Sequence, residues 1–98
     1  MNKKINTTTY LSDVPGDKVF YVNNGPVLRN LGDMLALPLS NEQFSYHCNS
    51  SKNDFFNWIT EVIGDRKLAH EISHVKSKDA LLKKIDARVK ELQKSTKK

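Results

Sequence analysis

The stretch Phe44–Ala69, FSYHCNSSKNDFFNWITEVIGDRKLA, decides the fold. It holds the sole tryptophan, the sole cysteine and three of the four phenylalanines. Phe55, Trp58, Ile59 and Val62 fall at i, i+3, i+4 and i+7, the spacing that puts four side chains on one face of an α-helix. Asn53 and Asp54 stand just before them, where a short acceptor takes up unpaired backbone N–H groups. Gly64 follows as a left-handed C-cap. This predicts a helix from Asn53 or Asp54 to Gly64 at the centre of the core.

Ser40 and Gln43 have the spacing of a capping box and open a preceding short helix. Its Phe44, His47 and Cys48 share one face, and it breaks at Asn49-Ser50-Ser51. Asp65 caps the next helix, which buries Leu68, Ala69, Ile72 and Val75 and ends near Ser73–Lys76. Ser77 opens the last, running to about Gln93 with a seam of Leu82, Ile85, Val89 and Leu92 and with Leu81 alongside. Upstream, a helix from near Val27 to about Ala36 carries Leu28, Leu31, Met34 and Leu35 and stops at Pro38. Before it, Tyr10-Leu11 and Lys18–Val22 are β-favouring runs around the turn-rich SDVPGD, so residues 7–22 form a hairpin or one extended strand. Asn23-Asn24-Gly25-Pro26 stops the extended run.

The fold class expected is mainly α: a compact bundle of about five short helices preceded by one or two short β-strands. Residues 1–17 are expected to be flexible or loosely packed, 18–93 to form a single helical domain, and 94–98 to be a disordered basic tail. Ninety-eight residues suffice for one core, even at 38% hydrophobic content. One cysteine excludes an intrachain disulfide. No apolar run has the length of a membrane span and the N-terminus lacks a signal-peptide core, so a cytoplasmic protein without membrane association is expected.

The net charge of +5 is unevenly placed. Residues 76–98 carry Lys76, Lys78, Lys83, Lys84, Arg88, Lys90, Lys94, Lys97 and Lys98 against Asp79, Asp86 and Glu91, a net +6. The remainder is near neutral. A field gathered on one element suits an anionic partner.

His70-Glu71-Ile72-Ser73-His74 reads H-E-x-x-H, a zinc-peptidase spacing. Both histidines point about 160° from the buried Ile72, no third ligand is placed to join them, and the chain hardly provides a substrate groove. The match is read as fortuitous, and neither metal, cofactor nor catalytic residue is expected. Around the break between the second and third helices stand Tyr46, His47, Asn49, Lys52, Asn57 and Trp58. Capping accounts for the adjoining Asn53 and Asp54, and the set named here suggests a partner-binding notch floored by Tyr46 and Trp58.

The pattern Phe44-x-Tyr46-His47-x-Asn49, Lys52-Asn53-Asp54-Phe55-x-Asn57-Trp58-Ile59, Val62-x-Gly64-Asp65-x-x-Leu68-Ala69 resembles an uncharacterised family of small domains from archaea and bacteria, classed as a domain of unknown function. The resemblance continues through Phe20, Gly25, Leu28, Leu31 and Leu35 and covers about residues 18–92. It implies a small helical binding or regulatory module and carries no activity. Histidines at 70 and 74 and the Lys-rich end depart from the family's pattern.

Two functions follow as expectations. In the first, a non-enzymatic accessory protein contacts DNA or RNA through Lys83, Lys84, Arg88, Lys90 and Lys94, set opposite the apolar seam of the last helix. In the second, a protein–protein interaction module uses the Tyr46–Trp58 notch. A monomer or weak dimer serves either.

Overall fold

The computed structural model describes residues 10–96, and the side chains of residues 10–94. Among these, strands β1 (Phe20–Tyr21) and β2 (Val27–Leu28) precede helices α1 (Leu31–Ala36), α2 (Asn41–His47), α3 (Asp54–Trp58), α4 (Arg66–Ile72) and α5 (Lys78–Thr96). The chain is thus mainly α with a short sheet before its helices. No helix among the described residues is long and apolar enough to cross a membrane.

The hairpin differs from the expected one. Val27 does not open a helix: β1 pairs antiparallel with β2, Phe20 opposite Leu28 and Tyr21 opposite Val27. Asn23-Asn24-Gly25-Pro26 is the turn between the two strands. Asn24 supplies the positive φ, 54°, that such a turn needs and that asparagine tolerates. Helix α1 begins only at Leu31, because Asn30 is its cap: the Asn30 side chain accepts from the Asp33 N–H at 2.8 Å. Its buried residues are Leu31 and Met34, while Leu35, expected inside, is exposed.

Helix α2 keeps its capping box, and Gln43 does more than cap. Its Oε1 accepts from the Ser40 N–H at 2.8 Å, and its Nε2 donates to the carbonyls of Asn23 and Asn24 at 3.1 and 3.0 Å. One side chain therefore closes the helix start and clamps the hairpin turn onto it. A Cβ on Gly25 would stand 2.5 Å from that amide nitrogen and 2.9 Å from Val22 Cγ1, which is why this position has no side chain.

Three phenylalanine rings form the middle of the core. Phe55 is stacked against Phe20 at 5.0 Å and Phe44 at 6.1 Å, and His47 meets Phe20 and Phe55 edge-on. Such pairs contribute about 0.5–1.5 kcal/mol each beyond the area they bury. Trp58 lies edge-on to Phe20 and donates its indole N–H to the Lys18 carbonyl at 2.8 Å, anchoring the 3-10 turn Gly16–Lys18.

After Trp58 the helix widens into a π-helical turn, Ile59–Ile63, in which the Gly64 N–H reaches back to Ile59 O at 2.8 Å. Gly64 then ends it at φ 84°. The wider turn holds one more residue than an α-turn. Ile63, not the expected Val62, consequently becomes the buried residue, and Val62 is only partly covered.

Helix α4 buries Leu68, Ala69 and Ile72 as expected, with Val75 half-buried beyond it. Helix α5 packs on α1 and α4. Its seam is Leu81, Ile85, Val89 and Leu92, with Leu82 at the flank, and it runs through Thr96, past the expected end at Gln93. Residues 10–17 are joined to the domain: Tyr10, Leu11 and Val14 pack on the core, and the Val14 N–H bonds to Arg29 O at 2.8 Å. Residues 1–9, 97 and 98, assigned above to a loose N-terminal segment and a disordered tail, lie outside the described residues.

Candidate functional site

At about 100° per residue, Lys83, Ala87, Lys90 and Lys94 form one row along α5, turned away from Ile85 and Leu92. Their side chains are exposed, as is Lys84 on the flank. Ala87 makes the row low in the middle, and a shallow depression of about 410 Å³ lies along Ala87, Lys90, Glu91 and Lys94. Lys90 pairs with Asp86 at 3.0 Å across one helical turn. Both are solvated, so the pair is weak and readily exchanged for another anion.

Arg88 does not belong to this surface. It sits about 60° from Ile85, on the seam side, and only 10% of its side chain is exposed. Its Nε and Nη2 donate to the two carboxylate oxygens of Asp65 at 2.7 and 3.0 Å, and its Nη1 donates to Glu91 at 2.9 Å. The hydrogen bond to Asp65, together with that to Glu91, raises the guanidinium above its ordinary range. Asp65 is itself 1% exposed and caps α4 through the Leu68 N–H at 3.2 Å. Lys67 completes the network at 2.9 Å from Glu91, whose carboxyl is held below its ordinary range by Lys67 first and Arg88 second. Arg88 is therefore a structural clamp between α4 and α5, withdrawn from any phosphate.

The junction of α2 and α3 does not assemble the expected notch. Trp58 is buried behind Phe20 with its indole N–H occupied, so it floors no cleft with Tyr46. Tyr46 is exposed, with the Lys52 ammonium 4.8 Å above its ring. Asn49 folds its own loop: its Nδ2 donates to Ser45 O at 2.8 Å and its Oδ1 accepts from the Ser51 N–H at 2.9 Å. Asn57 lies exposed on α3, its backbone N–H bonded to Asn53 O.

His47 is buried, and its role is fixed by its partners. The Asn23 N–H can only donate, so Nε2, at 3.0 Å, accepts; the ring proton then sits on Nδ1 and is donated to Asp54 at 2.9 Å. Asp54 also receives Lys52 at 3.2 Å. With both nitrogens engaged, the histidine ties the hairpin turn to α2 and α3 and has no lone pair left for a substrate. Burial, and next the nearby Asp54 charge, push the Cys48 thiol up.

The H-E-x-x-H spacing spans a helix end. Helix α4 stops at Ile72, so His74 stands in the following turn and not one helical turn beyond His70. Both histidines are exposed. Ser73 Oγ donates to His70 O at 2.7 Å and meets His74 Nδ1 at 3.1 Å. Among the described residues, no three His, Cys, Asp or Glu side chains are grouped to hold a metal ion.

Comparison of the chain with protein-family models, with characterised proteins and with solved structures finds no match.

Proposed function

We propose that this chain is a non-enzymatic accessory protein of the cytoplasm that holds a nucleic-acid backbone on the outer face of α5. The observation behind the reading is the row Lys83, Lys90 and Lys94 on an exposed helix face, with Lys84 beside it and Ala87 opening the middle. Ammonium groups on flexible stems suit phosphates, whose positions vary with sequence and helix form. The face carries no aromatic side chain on which a base could stack, so the affinity is sequence-tolerant.

Binding of a short DNA or RNA duplex, measured across a salt series, tests this. Each phosphate neutralised contributes about −0.9 to the slope of log K against log salt for duplex DNA. Replacing Lys83, Lys84, Lys90 and Lys94 with Ala reduces the magnitude of the slope on duplex DNA by about 3.6 and leaves the fold intact, because all four side chains are exposed. A quadruple variant that binds as tightly as the parent overturns the proposal.

A further inference from the structure

The loop between α2 and α3 and the loop between α4 and α5 form the two walls of one cleft. The walls are tied together. Asn53 Nδ2 donates to Ile72 O at 3.2 Å, and the Cys48 thiol points at Val75 O at 3.8 Å. The first loop is also fixed within itself, by the bridge between Cys48 and Asn53 and by the Asn49 N–H on Lys52 O at 2.8 Å. Two adjoining cavities, about 270 and 340 Å³, fill the cleft. The deeper end is floored by Cys48 and Val75. The open end is lined by Lys52, Lys76, His74 and the hydroxyl residues Ser50, Ser51 and Ser73.

The chemistry of this lining is one-sided. It has two ammonium groups, an imidazole and three hydroxyls, and no carboxylate. Asp54, whose charge reaches the Cys48 thiol, is engaged by Lys52 and by His47. Lys76 has no ion pair among the described residues, and its charge is felt at the Cys48 thiol, where it works against the burial and Asp54 that push that thiol up. The His74 ring is held by Ser73: the Ser73 proton goes to His70 O, so Ser73 Oγ accepts from His74 Nδ1–H. Fixed walls, an unpaired cation and the hydroxyls of Ser50 and Ser51 at one mouth suit an oxyanion, and the cleft is large enough to take a phosphate group.

We infer that this cleft, between residues 48–53 and 73–76, is a binding site for a phosphate group, separate from the lysine row of α5. Free phosphate and the phosphate of a mononucleotide share this chemistry. The site does not depend on the nucleic-acid reading, since none of its lining residues lies on the outer face of α5.

The test is a titration of the ¹⁵N-labelled chain with inorganic phosphate and, separately, with a nucleoside monophosphate, followed by amide shifts. Saturable shifts confined to residues 48–53 and 73–77 are expected. Lys76→Ala weakens binding about tenfold, the loss of one charge-assisted hydrogen bond. Ser50→Asp, which sets a carboxylate in the mouth, abolishes it. Lys83→Ala with Lys84→Ala leaves it unchanged. A monophosphate that binds more tightly than phosphate assigns the site to nucleotides, and equal affinity assigns it to the free anion. Shifts that do not saturate, shifts that run along α5, or a Lys76→Ala variant with parental affinity overturn the inference.

Discussion

Replacing Asp65 with Ala removes the partner of a guanidinium that is 10% exposed, and with it the cap of α4. Losing an N-cap costs about 1 kcal/mol. Breaking a buried ion pair from one side costs about 3–5 kcal/mol, because the remaining charge is left desolvated. Arg88 keeps its contact with the half-exposed Glu91 and lies 5.9 Å from the Tyr10 ring, so it is not wholly stranded. The expected loss for Asp65→Ala is therefore about 3–5 kcal/mol in all, a large share of the roughly 5–15 kcal/mol that holds a domain folded. Arg88→Ala leaves a carboxylate that is 1% exposed without its guanidinium, and the loss is of the same order. Asp65→Ala combined with Arg88→Ala removes both charges, and it is expected to cost less than the two single changes together by about 2 kcal/mol or more. Urea unfolding followed by the fluorescence of Trp58 measures all four proteins, since this is the sole tryptophan and it lies in the core. Single variants that each lose less than about 1 kcal/mol, or losses that simply add, refute the clamp.

Gly25→Ala forces a methyl group into the Gln43 amide and Val22, and a loss of about 1–3 kcal/mol in the same urea assay is expected. Trp58→Phe keeps the ring packing but orphans the Lys18 carbonyl, costing about 1–2 kcal/mol and loosening the 3-10 turn, which amide exchange at residues 16–18 reports. Glu91 has a carboxyl lowered in the folded chain, so its contribution is present above the ordinary glutamate range and is lost as pH falls through the lowered value. Glu91→Gln should flatten the decline of the urea midpoint on the acid side of about pH 4. The Cys48 thiol, raised chiefly by burial, should resist alkylation at neutral pH until denaturant is added.

Local chemistry made much of the fold legible. Ser40 with Gln43, Asn53, Asp65 and Ser77 each accept the backbone N–H that their cap positions require, and Gly64 ends its helix in the left-handed conformation. Departures arose where tertiary contacts decide. Val27-Leu28 reads equally as the start of a helix or a strand, and the pairing with Phe20-Tyr21 selects the strand. The spacing Asn30-x-x-Asp33 marks the helix start. Arg88 looks like its lysine neighbours in a charge count, yet its place between Ile85 and Val89 turns it to the seam, where Asp65 waits 23 residues earlier in the chain. Trp58 belongs to the core stripe and so cannot at the same time floor a surface notch. The cleft of Lys52, His74 and Lys76 was hidden because its two walls are loops brought together only by the packing of α3 on α4.

The π-helical turn at Ile59–Ile63 makes the chain unusually tolerant of shortening at one point. Phe55, Trp58, Ile59 and Ile63 carry one residue too many for a regular stripe, and the exposed Glu61 lies within the surplus. Deleting Glu61 restores i, i+3, i+4 and i+7 and lets an ordinary α-helix deliver the same four side chains to the core. A deletion in a regular helix has the opposite effect: removing Lys67 rotates Leu68, Ala69 and Ile72 by about 100° off their buried face. The chain lacking Glu61 is expected to unfold cooperatively with a native Trp58 signal, and the chain lacking Lys67 to lose both. The segment thus stores a spare residue that folding accommodates by widening one turn.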